Sequence, residues 1–198
     1  MDPLCLAQDP AADGLLSRDP FALLAGMLLD QQFPMERAFA GPYLLTSRLG
    51  WDGLDPARLV AIPEAELLAA AAGPPAIHRY PKAMAARMVA LAEVILTQHG
   101  GDAASIWADG RTGREVLADL RALPGFGEQK ARIFLALLGK QCGVNAEGWR
   151  ELAGAYGEPG SFRSVADVVD ADSLARVRAT KQAAKAAAKA ALSHQRGK

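Results

Sequence analysis

Two glycines separated by one apolar residue, in the run Leu123-Pro124-Gly125-Phe126-Gly127-Glu128-Gln129-Lys130-Ala131, are the residues of this chain best suited to holding an anion. Glycine reaches backbone conformations closed to other residues, and the N–H groups that open a helix have no partner inside it, so backbone alone can seat a phosphate. Such a contact reads no base and positions a nucleic acid by its backbone. The same residues also fit an ordinary helix-turn-helix corner with Gly125 as its C-cap. Acid–base chemistry has sparser candidates. Glu147 is the carboxylate downstream of the hairpin, and it equally fits a helix start, where an acid favours the dipole of the segment running through Trp149 and Leu152. Asp167 and Asp170 read as turn and cap chemistry. Gln31 and Gln32 stand where an apolar helix gives way to Phe33 and Pro34, which reads from the residues alone as a polar loop. Asp30 beside them reads as a helix-end acid or as a carboxylate lining a pocket. His78, Arg79, Tyr80 and Lys82 combine base and aromatic ring, a pairing suited to a phosphate backbone and a stacked base, although Tyr80 also fits an inward-packed staple.

The elements that must position these residues are helices. Leu117, Leu120 and Leu123 recur at helical spacing, Pro124 stops that helix, and Ile133, Phe134, Leu137 and Leu138 resume the period. The pattern predicts helices near 20–31, 35–48, 56–60, 64–72, 80–99, 103–108, 112–122, 128–142, 147–155, 164–168 and 172–192, joined by short Gly- and Pro-marked turns. Strand signals are nearly absent, so the expected class is all-α, one unit over 1–198. With 198 residues, 51% of them hydrophobic, the chain can bury a sizeable core. Met84, Met88, Leu91 and Ile95 belong to that core.

Composition also sets exclusions. No apolar run reaches the 18 residues of a membrane span, and the early acids of the N-terminus do not fit a secretory leader, so a cytoplasmic protein is expected, nucleoid-associated in a bacterial host. Cys5 and Cys142 are too few for a four-thiolate cluster, and His78, His99 and His194 lack metal-ligand spacing, so no metal is expected. The chain holds 22 basic and 22 acidic residues, but seven of the basic ones and no acid fall between Ala175 and Lys198. Arg178, Lys181, Lys185 and Lys189 share one face of an alanine-rich helix there, as a phosphate-tracking stripe or as a solvated tail.

Three blocks in order carry a family resemblance. The hairpin LPGFGEQKA, the upstream segment DPFALLAGMLLDQQF (19–33) and HRYPKAMAARMVALAEVILTQHGGD (78–102) together resemble the helix-hairpin-helix superfamily of base-excision DNA glycosylases over roughly residues 19–150. The resemblance implies a two-lobed fold with a cleft between lobes, a bundle lobe of about 33–140 and a second lobe of about 1–32 plus 141–198. It implies double-stranded DNA as partner; no membrane partner is expected from the hydropathy, and the oligomeric state stays open with a monomer favoured. By this likeness Gly125, Phe126, Gly127, Gln129 and Lys130 would hold DNA and Gln31 and Gln32 would fill the gap left by a flipped base; the basic-aromatic pair Arg79 and Tyr80 and the stripe lysines Lys181 and Lys185 are expected to add contacts. A hairpin of this kind can hold a monovalent cation through its carbonyls. The iron-sulfur cluster of one branch is excluded by the cysteine count.

The chain departs from the family at the chemistry. The family's aspartate after the second hairpin helix is missing; counting from Gly125 puts Glu147 in its place, and anchoring on Gly139 puts Ala146 there, with Asn145 beside it. Gln129 stands where bifunctional members carry a lysine. Lys130, one residue on, is rotated about 100° around the helix and is expected to point away from the cleft, as a phosphate contact or a solvated charge. The resemblance therefore implies a monofunctional N-glycosylase without lyase activity, with a DNA-binding or lesion-recognition protein that lacks chemistry as the alternative.

Overall fold

Three helices begin where an aspartate precedes a proline. Asp9, Asp19 and Asp55 each accept hydrogen bonds from first-turn N–H groups while Pro10, Pro20 and Pro56 supply a pre-set helical φ, opening α1 (Pro10–Arg18), α2 (Pro20–Leu29) and α4 (Pro56–Ala61). Between them lies α3 (Met35–Leu49), followed after α4 by α5 (Glu64–Ala72) and α6 (Pro81–Gln98). A capping box of Thr112 and Glu115 opens α7 (Gly113–Ala122). The chain continues through α8 (Glu128–Gln141), the short α9 (Trp149–Ala153) and α10 (Ala171–Arg196), with 3-10 turns at Ala103–Trp107, Gly154–Tyr156 and Val165–Asp167. The computed structural model describes residues 3–196, with side chains described through 189. It is mostly helical, with no strand among the described residues.

α2 lies at the centre because it has no polar face: every residue from Phe21 to Leu29 is buried. It packs on α3, α1 and α6, and α6 in turn carries α4 and α5. The α2–α3 contact is close because Gly26 faces Phe39, where an added Cβ would meet the ring at 2.7 Å. α8 packs on α7, α9 and the 165–167 turn. A single buried core runs through all of these elements. Among the described residues α10 buries only Ser173, Leu174 and Val177 of its first turns; from Arg178 to Lys189 every residue is exposed. No helix among the described residues is long and apolar enough to cross a membrane.

Several expected elements need correction. α1 is an added helix; its short, Gly14-containing segment lacks a strong apolar period, and the Asp9-Pro10 start was its one legible signal. The helix expected over 147–155 starts only after Gly148, which sits in the left-handed region, and ends in a 3-10 turn. The 164–168 element is a single 3-10 turn capped by Ser164.

Candidate functional site

The hairpin's two glycines have different reasons to be glycine. Gly125 has φ +80°, and a Cβ there would collide with Leu28 at 2.4 Å, so folding alone requires it. Gly127, the N-cap of α8, has an ordinary extended backbone and nothing within 4 Å of an added Cβ. Folding does not explain Gly127, and its bare surface leaves the start of α8 open to close approach. No side chain caps α8, so its first N–H groups remain available to an anion. Phe126 faces inward, edge-on to Phe134 at 5.8 Å, and anchors the turn rather than contacting a ligand. Glu128 puts an acid at this rim, but Arg121 and Arg132 both pair with it at 2.7 Å. The carbonyls of Pro124, Gly125 and Phe126 accept no hydrogen bond among the described residues, which leaves the turn oxygen ligands of the kind a monovalent cation takes.

Beside this rim lies a cavity of about 740 Å³ walled by the end of α2, the first turns of α8, the segment after α9 and the free part of α10. Lys130, Arg132, Arg163 and Lys181 make its lining basic, Phe33, Tyr156 and Met27 give it apolar surface, and Gln32 and Gln129 add amides. Among the described residues Asp30 is the only carboxylate in the lining. Burial raises its pKa, and the Glu36 charge adds to that, while Lys181 and Lys130 oppose the rise.

Lys130 faces the cavity, contrary to the sequence expectation that it points away. Its stem follows the α8 surface back toward α2, where Nζ donates to the carbonyls of Met27 (2.7 Å) and Leu28 (3.1 Å). The flexible four-carbon stem overrides the 100° offset that Cβ direction implied. Burial lowers this amine from 10.5 to about 8, with Asp30 opposing the fall. Gln129 also faces the cavity, its amide donating to the Tyr156 hydroxyl at 2.8 Å.

The paired glutamines divide. Gln32 lines the cavity with φ +54°, a strained conformation for a residue with a side chain. Gln31 is tied elsewhere: its side chain accepts from Arg87, and its carbonyl faces His78 Nε2 at 3.0 Å. His78 Nδ1 accepts from the Tyr80 N–H, so Nε2 is the nitrogen that donates to Gln31. Burial lowers the pKa of this imidazole, and the ring is a strut that fastens the glutamine loop to the start of α6. Arg79 and Tyr80 are exposed and stack on each other at 4.7 Å, outside the cavity lining.

Glu147 is exposed and precedes α9, whereas the cavity is lined by Ala153 at the opposite end of that helix and by Ala155 and Tyr156 beyond it. Its carbonyl, rather than its carboxylate, is engaged, accepting from the Gly113 N–H at 2.7 Å. Lys181 lines the cavity, and Lys185 lies one turn further along the exposed part of α10. Arg178 pairs with Glu36 and holds that part of α10 against α3.

Arg132, Arg163 and Tyr156 are site residues that sequence reasoning missed. They come from scattered positions, two exposed arginines and one partly buried tyrosine, and no spacing rule links them. Among the described residues no three His, Cys, Asp or Glu side chains gather as a metal site. The chain matches no protein-family model, no curated protein and no solved structure.

Proposed function

We propose that the protein binds double-stranded DNA through the Leu123–Ala131 hairpin and is a monofunctional base-excision glycosylase that takes a flipped, damaged or mismatched base into the cleft beside it. One observation carries this reading: the uncapped start of α8 at Gly127 and a basic cleft of about 740 Å³ share the first turns of the same helix. A phosphate seated at Gly127 brings the adjoining nucleotide to the mouth of a cavity within the ordinary range for small-ligand sites. Lys130, Arg132, Arg163 and Lys181 suit the flanking phosphates, and Phe33 and Tyr156 suit a base removed from the stack. Gln32, held at φ +54° in the lining, is the better placed of the two glutamines to fill the vacated space. A monovalent cation on the hairpin carbonyls would add positive charge to the clamp. The two-lobed arrangement implied by the family resemblance belongs to the same reading.

Hydrolysis of the base would break the C1′–N bond, the electron pair leaving with the base, and add water to a sugar that has become cationic. That step needs a carboxylate beside the sugar. The position of Glu147 outside the cleft favours a second reading, a lesion-binding protein without chemistry.

The test is a panel of duplexes bearing uracil, alkylated purines, oxidised purines or oxidised pyrimidines, scored for base release and for binding. Release from one of them is expected; binding without release from any lesion would favour the second reading. Gly127→Leu, which fills open space without changing charge, is expected to weaken DNA binding by about tenfold or more while leaving the fold intact. Unchanged binding would sink the clamp. Borohydride treatment on abasic duplex is expected to trap no adduct, and an adduct lost in Lys130→Gln would replace hydrolysis by lyase chemistry.

A further inference from the structure

We infer that Asp30, and not Glu147, is the carboxylate that faces the cationic sugar in this cleft, an inference that rests on the base-excision reading above. It is the cleft's only carboxylate among the described residues, and the fold makes no use of it. Asp9, Asp19, Asp55 and Asp102 cap helix starts. Asp13 accepts from the backbone N–H groups of Ala7 and Asp9, and Asp119 pairs with Arg111. Asp30 accepts no hydrogen bond from any described residue. It stands at the C-terminal end of α2, where the helix dipole disfavours an anion. A half-buried acid at the unfavourable end of a central helix, without a donor, lowers stability and gives the fold nothing in return.

The groups around Asp30 explain how it stays available. Lys130 from α8 and Lys181 from α10 face it with positive charge, and Glu36 from α3 with negative charge. Lys130 directs hydrogen bonds to the Met27 and Leu28 carbonyls, and Glu36 is paired with Arg178. The two cations favour the ionised carboxylate without covering its oxygens. As the C1′–N bond breaks, the Asp30 carboxylate balances the sugar's charge and accepts a proton from the water whose oxygen bonds to C1′; that proton then passes to solvent. The products are a free base and an abasic sugar.

The probe is a pair of duplexes, one with a pyrrolidine at the abasic position, cationic at neutral pH, the other with the neutral tetrahydrofuran analogue. A lining of Lys130, Arg132, Arg163 and Lys181 repels a cation everywhere except at Asp30, so the sign of the preference is diagnostic. The full chain is expected to bind the pyrrolidine duplex about tenfold or more tighter. Asp30→Asn and Asp30→Ser should abolish that preference while keeping tetrahydrofuran affinity within about twofold, and Glu147→Gln should keep both. No preference in the parent, a preference that survives in both Asp30 variants, or one lost in Glu147→Gln overturns the assignment to Asp30 while leaving DNA binding standing. Failure to bind either duplex overturns the DNA reading and this inference together.

Discussion

Two lysines ten residues apart on α8 each lie near an aspartate, Asp167 buried and Asp30 half-buried, and the fold treats the two pairs in opposite ways. Lys140 donates directly to Asp167 at 2.6 Å, and also to the Ser161 hydroxyl and the Glu158 carbonyl. Asp167 further accepts from Ser161 Oγ and from the N–H groups of Arg163 and Ser164, so both its oxygens are filled. Lys130 instead donates to the last carbonyls of α2, and Asp30 is left with charge nearby but no donor. One pair is finished structure; the other is an unfinished site. A buried charge with complete partners locks the segment after α9 onto α8, whereas a half-buried one without them is costly to the fold and free to meet a ligand.

The largest effect should come from breaking the finished pair. Asp167→Ala leaves the Lys140 ammonium and two backbone N–H groups without their acceptor and is expected to cost about 3 kcal/mol or more in urea unfolding. A loss under about 1 kcal/mol would remove the contrast between the two pairs. Asp30→Asn should move the other way, raising stability by about 0.5–1 kcal/mol at pH 7, since it removes an anion from a helix C-terminus. A clear loss of stability in that variant would make Asp30 a structural group like Asp167.

The pH dependence sharpens the same difference. Asp30's pKa is raised in the fold, so the folded state holds its proton to higher pH than the unfolded chain. Stability is therefore lost as pH rises from the ordinary carboxylate value through the raised one, a slope that Asp30→Asn should lack. Lys130's pKa is depressed from 10.5 to about 8, so the folded state sheds its proton first, and stability should rise with pH between those values. Lys130→Met should flatten that rise in denaturation midpoints measured from pH 8 to 10. The smallest effect is expected from Glu147→Gln, with an unchanged melting temperature, because only its carbonyl is engaged.

The helices were legible because their signals are local. The apolar run 21–29 and the leucine period around the hairpin each act within a few residues, and the structure places α2, α7 and α8 where those signals fall. The hairpin's glycines were legible as a pair but not as different from each other; the Gly125 contact with Leu28 is a meeting of segments nearly a hundred residues apart. Lys130 was misjudged because Cβ direction is local, whereas the path of a long side chain depends on what lies beyond it.

By itself the sequence determined an all-helical chain, a glycine hairpin suited to phosphate and a basic C-terminal stripe, all consequences of propensity, period and charge along a few turns. Only the tertiary structure decided which acid belongs to the cleft. Carboxylates look alike in sequence; Asp167 gathers Lys140 from α8 together with donors from Ser161, Arg163 and Ser164, whereas Asp30, half-buried at the end of α2, is given no donor among the described residues.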